Sequence, residues 1–112
     1  MTHELKLQSS PFDAIKAGTK TIECRLYDEK RQQIQIGDTL ILKRAPELET
    51  SVTAEVTGLL RYPTFSGLFA DFPLETFGGE SISELEELIY SFYSKEDEVK
   101  FGVVGIQIKL VA

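Results

Sequence analysis

Gly18, Lys20, Glu23 and Arg25 fall within eight residues, in the order Gly18-Thr19-Lys20-Thr21-Ile22-Glu23-Cys24-Arg25. An ammonium, a carboxylate and a guanidinium this close together combine opposite charges with directional donors. Such a set suits a small polar pocket for a nucleotide-like or otherwise anionic ligand. If Lys20 and Glu23 meet in a cleft, the carboxylate holds the lysine charged as an anchor for a phosphate or a carbonyl oxygen. Alternatively, desolvation of the lysine leaves Glu23 as a general base toward water. Lys20 and Glu23 are therefore the catalytic candidates. A plain surface ion pair, contributing about 0–1 kcal/mol, is the structural alternative. Arg25 has a fixed donor fork for a carboxylate, a phosphate or a base edge, and could equally brace Glu23.

Two further residues extend the candidate site. Arg44, with Lys43, closes a later strand and could form a cationic rim or a solvated strand end. Tyr62 and Phe65 flank Pro63-Thr64, where aromatic rings either stack on a base or plug the core. The ligand-binding candidates are thus Gly18, Lys20, Glu23, Arg25, Arg44 and Tyr62. Cys24 shares a strand face with Ile22 and Leu26 and reads as buried filler. It is the only cysteine, and His3 is the only histidine, so a zinc site of the ordinary His/Cys type is excluded. Neither a metal nor a cofactor is expected.

The elements that must position these side chains follow from local patterning. Residues 4–7 alternate polar and apolar as a half-buried strand does. A short helix over 11–17 is expected, with Ser10 as cap, Pro11 in the first helical position and Asp13 completing a capping box. Gly18 ends it, because glycine takes a left-handed conformation at low cost. Residues 21–27 form a strand with Ile22, Cys24 and Leu26 on one face and Thr21, Glu23 and Arg25 on the other. A solvated loop over 28–33 and a turn over 34–38 lead to a strand at 39–44, a polar connection at 45–49 and a longer strand at 51–62. Gly58 marks a bulge in that strand.

Thr64 caps a short helix over 65–70, and 75–80 reads as irregular around Gly78-Gly79. The clearest helix is 83–92, capped by Ser81 or Ser83. Its inward face is Leu85, Leu88, Ile89 and Phe92, and Glu84, Glu86 and Glu87 lie on its wet face. Ser94 and Asp97 make a second capping box over a single turn at 95–98, with Glu96, Asp97 and Glu98 as cap and surface charge. The last strand, 100–111, turns Val104, Ile106, Ile108 and Leu110 to one face. The fold class is mainly β with short helices (α+β), a small pseudo-barrel of five or six strands, in a single domain over residues 1–112.

At 112 residues and 42% hydrophobic content the chain can close one core without disulfides or a structural metal. It has no apolar run of membrane-spanning length and no secretory leader, so the expected location is cytoplasmic. A net charge of −6 argues against a long duplex DNA partner or any extended phosphate backbone. The charge is uneven, though. Residues 1–44 hold eight Lys/Arg against six Asp/Glu, whereas 45–112 hold four against twelve. A local cationic site in the first half remains compatible with that balance.

Together, the opening strand, the short helix, Gly18-x-Lys20-x-x-Glu23-x-Arg25, the Ile36-Gly37-Asp38 turn and the closing Phe101-Gly102-Val103-Val104-Gly105-Ile106 segment resemble the ASCH domain family. The resemblance implies a fold like that of the PUA RNA-binding domain, with a cleft lined by the motif and a role in binding RNA, a nucleotide or a modified nucleoside. Some relatives in the wider family are small amidohydrolases that remove the acetyl group from N4-acetylcytidine. Lys20 matches the motif lysine used there. Glu23 stands where those enzymes carry threonine, the supposed nucleophile, and Gly78 falls near their later catalytic glutamate, with Glu80 close by. Three functions are weighed on this basis: a binding module, an amidohydrolase in which Glu23 activates water, and a protein-interaction domain that uses the acidic 75–98 region.

Overall fold

In the computed structural model, which describes residues 1–111, five strands form one curled sheet. The first half of the chain contributes β1 (Thr2–Leu7), α1 (Ser9–Ala17), β2 (Ile22–Leu26) and β3 (Thr39–Arg44). Then come β4 (Ser51–Tyr62), α2 (Phe65–Ala70), α3 (Ile82–Tyr90), α4 (Lys95–Phe101) and β5 (Val103–Leu110). The strand order is β1-β3-β4-β5-β2, with β1 parallel to β3 and the other pairs antiparallel. The result is a half-barrel with an open seam between its edge strands, β1 and β2. The expected bulge is present: the β4–β5 register shifts between Val56 and Gly58.

Two apolar clusters lie on opposite sides of the sheet. One joins Leu5, Leu7, Phe12 and Ile15 to Leu40, Leu42, Val56, Val104 and Ile106 inside the curl. The other packs Ile22, Cys24 and Leu26 against Phe65, Leu68, Phe69, Phe77 and Val103 beneath the helices. β5 therefore has both faces buried, a pattern that reads as a near-continuous apolar run rather than as alternation. A side chain at Gly105 would lie 3.1 Å from both Ile22 and Leu68, so α2 rests directly on the β5 backbone there.

Several local expectations need correction. α1 begins at Ser9 with Gln8 as its cap and no side-chain cap bond, so neither the Ser10 cap nor the Asp13 capping box forms. Pro11 sits in the third helical position. Its missing N–H costs nothing there, because the first turn of a helix leaves those donors unpaired anyway. Asp13 instead meets the Arg44 guanidinium, with Nε 3.2 Å from Oδ1. The 28–33 loop contains a 3-10 turn over Arg31–Gln33, held by the Asp28 carboxylate, which accepts from the Arg31 backbone N–H and from Nη1. The irregular stretch contains another 3-10 turn, Leu74–Phe77, with Phe77 buried. α3 starts after Ser81, whose hydroxyl accepts from Glu84 N–H, and it ends at Tyr90.

α4 is longer than the single turn expected, and Glu98 is buried rather than a surface charge. The Glu98 carboxylate accepts the Phe65 backbone N–H at 2.8 Å and the Tyr90 hydroxyl at 2.6 Å. One carboxylate thus caps α2 and ties it to α3 and α4. A Glu98→Gln variant keeps the shape but weakens both charge-assisted bonds. It should lose about 1–3 kcal/mol in urea unfolding. An unchanged midpoint would show that the carboxylate is dispensable.

Candidate functional site

The α1 terminus sets the position of Lys20. Gly18 adopts φ 85°, and the backbone N–H groups of Thr19 and Lys20 both reach back to Ala14 O, at 3.0 and 3.1 Å. Thr21 N–H then bonds Thr76 O at 2.9 Å, fixing the start of β2 against the 3-10 turn. The Lys20 side chain consequently runs inward and is only 7% exposed. Its ammonium donates to Ile22 O at 2.8 Å and Phe77 O at 3.1 Å and lies 3.3 Å from Glu23 Oε1. Gly78, with φ 78°, covers the lysine stem: a Cβ there would sit 3.3 Å from Lys20 Cβ and Cδ.

Glu23 and Arg25 share a face of β2, as period two requires, and the partners opposite them on β5 are Ile106 and Val104. Glu23 is 6% exposed and uses both oxygens, Oε1 toward Lys20 and Oε2 toward Arg25 Nε at 2.9 Å. Burial pushes its carboxyl upward, but the Arg25 guanidinium and the Lys20 ammonium outweigh it and hold the group below the ordinary value of 4.5. Arg25 reaches further, donating from Nη2 to Lys6 O on β1 at 2.7 Å. Burial alone would ease its proton off, but the Glu23 carboxylate, with the Tyr93 phenol beside it, raises its affinity for that proton. Lys20, Glu23 and Arg25 therefore form one linked network, and its last member spans the open seam.

Above this network lies a cleft of about 380 Å³, at the small end of the range for ligand pockets. Lys20, Glu23, Cys24 and Arg25 line its floor. One side is formed by Lys6, Leu7, Gln8, Ser10 and Pro11, and the other by Leu85, Leu88, Ile89, Phe92 and Tyr93. Cys24 is on that floor, but burial pushes its thiol up to about 12, which leaves it un-ionised and a poor nucleophile.

Not every candidate converges here. Gly18 acts on the site from a distance, by ending α1. Arg44 lies outside the cleft lining and pairs with Asp13 and Glu47. Tyr62 is also outside it, donating its hydroxyl to Asp71 at 2.6 Å. Phe65 is 0% exposed and belongs to the core. In contrast, the far wall was not legible as part of a site. Leu88 is 45% and Phe92 55% exposed, although their spacing reads as an inward helical face.

Comparison with known proteins places these features in a family. No curated protein matches. Among solved structures, the hypothetical protein PH0355 is 37% identical, with a TM-score of 0.89 over 99% of this chain and 100% of its own. Protein PF0455 from Pyrococcus furiosus is 34% identical, with a TM-score of 0.76 over 99% of this chain and 98% of its own. An ASCH domain from Lactobacillus crispatus is 19% identical, with a TM-score of 0.66 over 97% of this chain and 79% of its own, a likeness of fold. The family profile described as ASCH domain matches residues 5–112, and on that extent of match the chain belongs to the ASCH domain family.

Proposed function

We propose that the cleft binds a nucleoside-sized ligand, whether a nucleotide, a modified nucleoside or one base of an RNA. The observation that carries this reading is the pairing of an exposed apolar wall, Leu88 and Phe92, with a buried charged floor, Lys20–Glu23–Arg25. A planar base offers an apolar face and a hydrogen-bonding edge, which are the two surfaces such a cleft accommodates. Family membership supports the same ligand class.

Binding is better supported than hydrolysis. An amidohydrolase using Glu23 needs a carboxylate free to take a proton from water. Here both Glu23 oxygens are engaged, its proton affinity is lowered, and the Lys20 donors point at protein oxygens. Those features suit a rigid, pre-oriented floor.

NMR titration with cytidine, N4-acetylcytidine, the common nucleotides and short RNAs tests the proposal. Shifts are expected at Cys24, Gly78 and Phe92. Phe92→Ala should weaken binding about 5- to 150-fold, in line with about 1–3 kcal/mol per stacked base. Lys20→Ala removes the group that holds Glu23 and the Phe77 carbonyl in place, and should weaken the response in protein shown to be folded by circular dichroism. No shift with any ligand, from folded protein, would overturn the proposal and favour a protein partner for the 75–98 surface.

A further inference from the structure

A second depression adjoins the cleft across the seam. It measures about 310 Å³ and is lined by Glu4, Leu5, Lys6, Arg25, Lys30 and Arg31. Lys6 and Arg25 line both spaces, so the bond from Arg25 to Lys6 O is their shared wall. Four of the six lining residues are cationic, in a protein whose net charge is −6. Composition alone does not produce such a concentration.

Three of the nearby acids are already engaged, and the exposed Glu29 beside Lys30 is not among the residues that line the groove. Glu4 lies 3.2 Å from Lys43 Nζ, Asp28 holds Arg31 Nη1 at 2.8 Å, and Glu23 holds Arg25. Lys6 and Lys30 are exposed and make no ion pair among the described residues. Arg31 adds a second signal: its buried Nε–H finds no acceptor among the described residues. A buried unpaired donor is costly, and a small turn of the Arg31 guanidinium toward a phosphate oxygen in the groove would give it an acceptor.

We infer that this groove holds a phosphate covalently joined to the ligand in the cleft, so that the site takes nucleotides in preference to bare nucleosides. The inference rests on the cleft reading above and specifies its ligand. The base stacks on the Phe92 side, the sugar passes over the Lys6–Arg25 bridge, and the phosphate meets Lys30 and Arg31. No long polyanion is required, in keeping with the acidic remainder of the chain.

Calorimetric titration of the four common ribonucleosides, their 5′- and 3′-monophosphates and the matching dinucleotides is the test, with inorganic phosphate as control. A monophosphate or dinucleotide should bind at least about tenfold more tightly than its nucleoside, and the increment should shrink as salt rises. Lys30→Glu should erase the increment without changing nucleoside affinity. The Lys30 and Arg31 amides should shift with a nucleotide and stay still with a nucleoside. A response to the 5′- or the 3′-monophosphate alone would distinguish a free nucleotide's phosphate from either linkage of a strand, and either result supports the inference. Equal affinity for nucleoside and nucleotide, or an increment that survives Lys30→Glu, would overturn it and leave the cleft reading intact. If no ligand binds, both fail.

Discussion

Replacing Glu23 with alanine should cost about 3–5 kcal/mol of folding stability, because two buried cations lose the charge between them. Lys20 and Arg25 flank the carboxylate at 3.3 and 2.9 Å. Without it they repel across a space from which water is largely excluded. At this chain length the midpoint of thermal unfolding should fall by roughly 12 °C or more. Glu23→Gln retains one acceptor and should cost less.

The pH dependence supplies an independent reading. The folded state holds Glu23 below its ordinary value of 4.5, so the unfolded chain takes up the proton first as pH falls. The stabilisation is complete above about pH 4.5 and disappears as pH drops through the lower, folded value. The stability gap between wild type and Glu23→Gln should therefore narrow below pH 4.5 in urea titrations. Asp38, held down at about 2 by His3 and by the Gln35 N–H, is present in both proteins and cancels in the difference. A gap that stays constant into strong acid would mean that the carboxylate charge contributes nothing.

The second large effect is expected at Phe65. Its ring lies 6.2 Å from Phe69, 6.0 Å from Tyr90 and 5.9 Å from Tyr93, edge-on to Tyr90 and stacked with the other two. Phe65→Ala removes a fully buried ring and should cost about 3–5 kcal/mol. Tyr93 lines the cleft, so losing its stacking partner should also weaken ligand binding at temperatures where the variant is still folded. A base-stacking role for Phe65 predicts the opposite pattern, lost binding with an unchanged melting temperature. Measuring both on the same variant separates the two.

What could be read in advance depended on the range of the interactions. Period two along β2 placed Glu23 and Arg25 together, and Gly18 marked the end of α1, because both are consequences of local backbone geometry. The burial of Glu98 was illegible, since it depends on a Tyr90 hydroxyl and a Phe65 N–H contributed by two other helices. Arg25 reaching Lys6 O was equally hidden, because β1 and β2 are neighbours only across the seam of the curled sheet. The apolar face of α3 was visible in the sequence. That part of it lines a cleft rather than the core depends on how α3 packs against the rest of the chain, which helical spacing does not encode.

The strand order also has a consequence for synthesis of the chain. Among the described residues β2 has one strand partner, β5, with Glu23 opposite Ile106, and β5 also joins β2 to β4. While residues before 103 are emerging from the ribosome, β1, β3 and β4 can pair, but the strand bearing Glu23 and Arg25 has no partner. The motif therefore stays outside the sheet, its charges solvated, until β5 has been made and draws it in. Pairings this distant in sequence close slowly. A nascent chain stalled before residue 103 should expose β2 to protease, and one extended past residue 110 and clear of the exit tunnel should protect it.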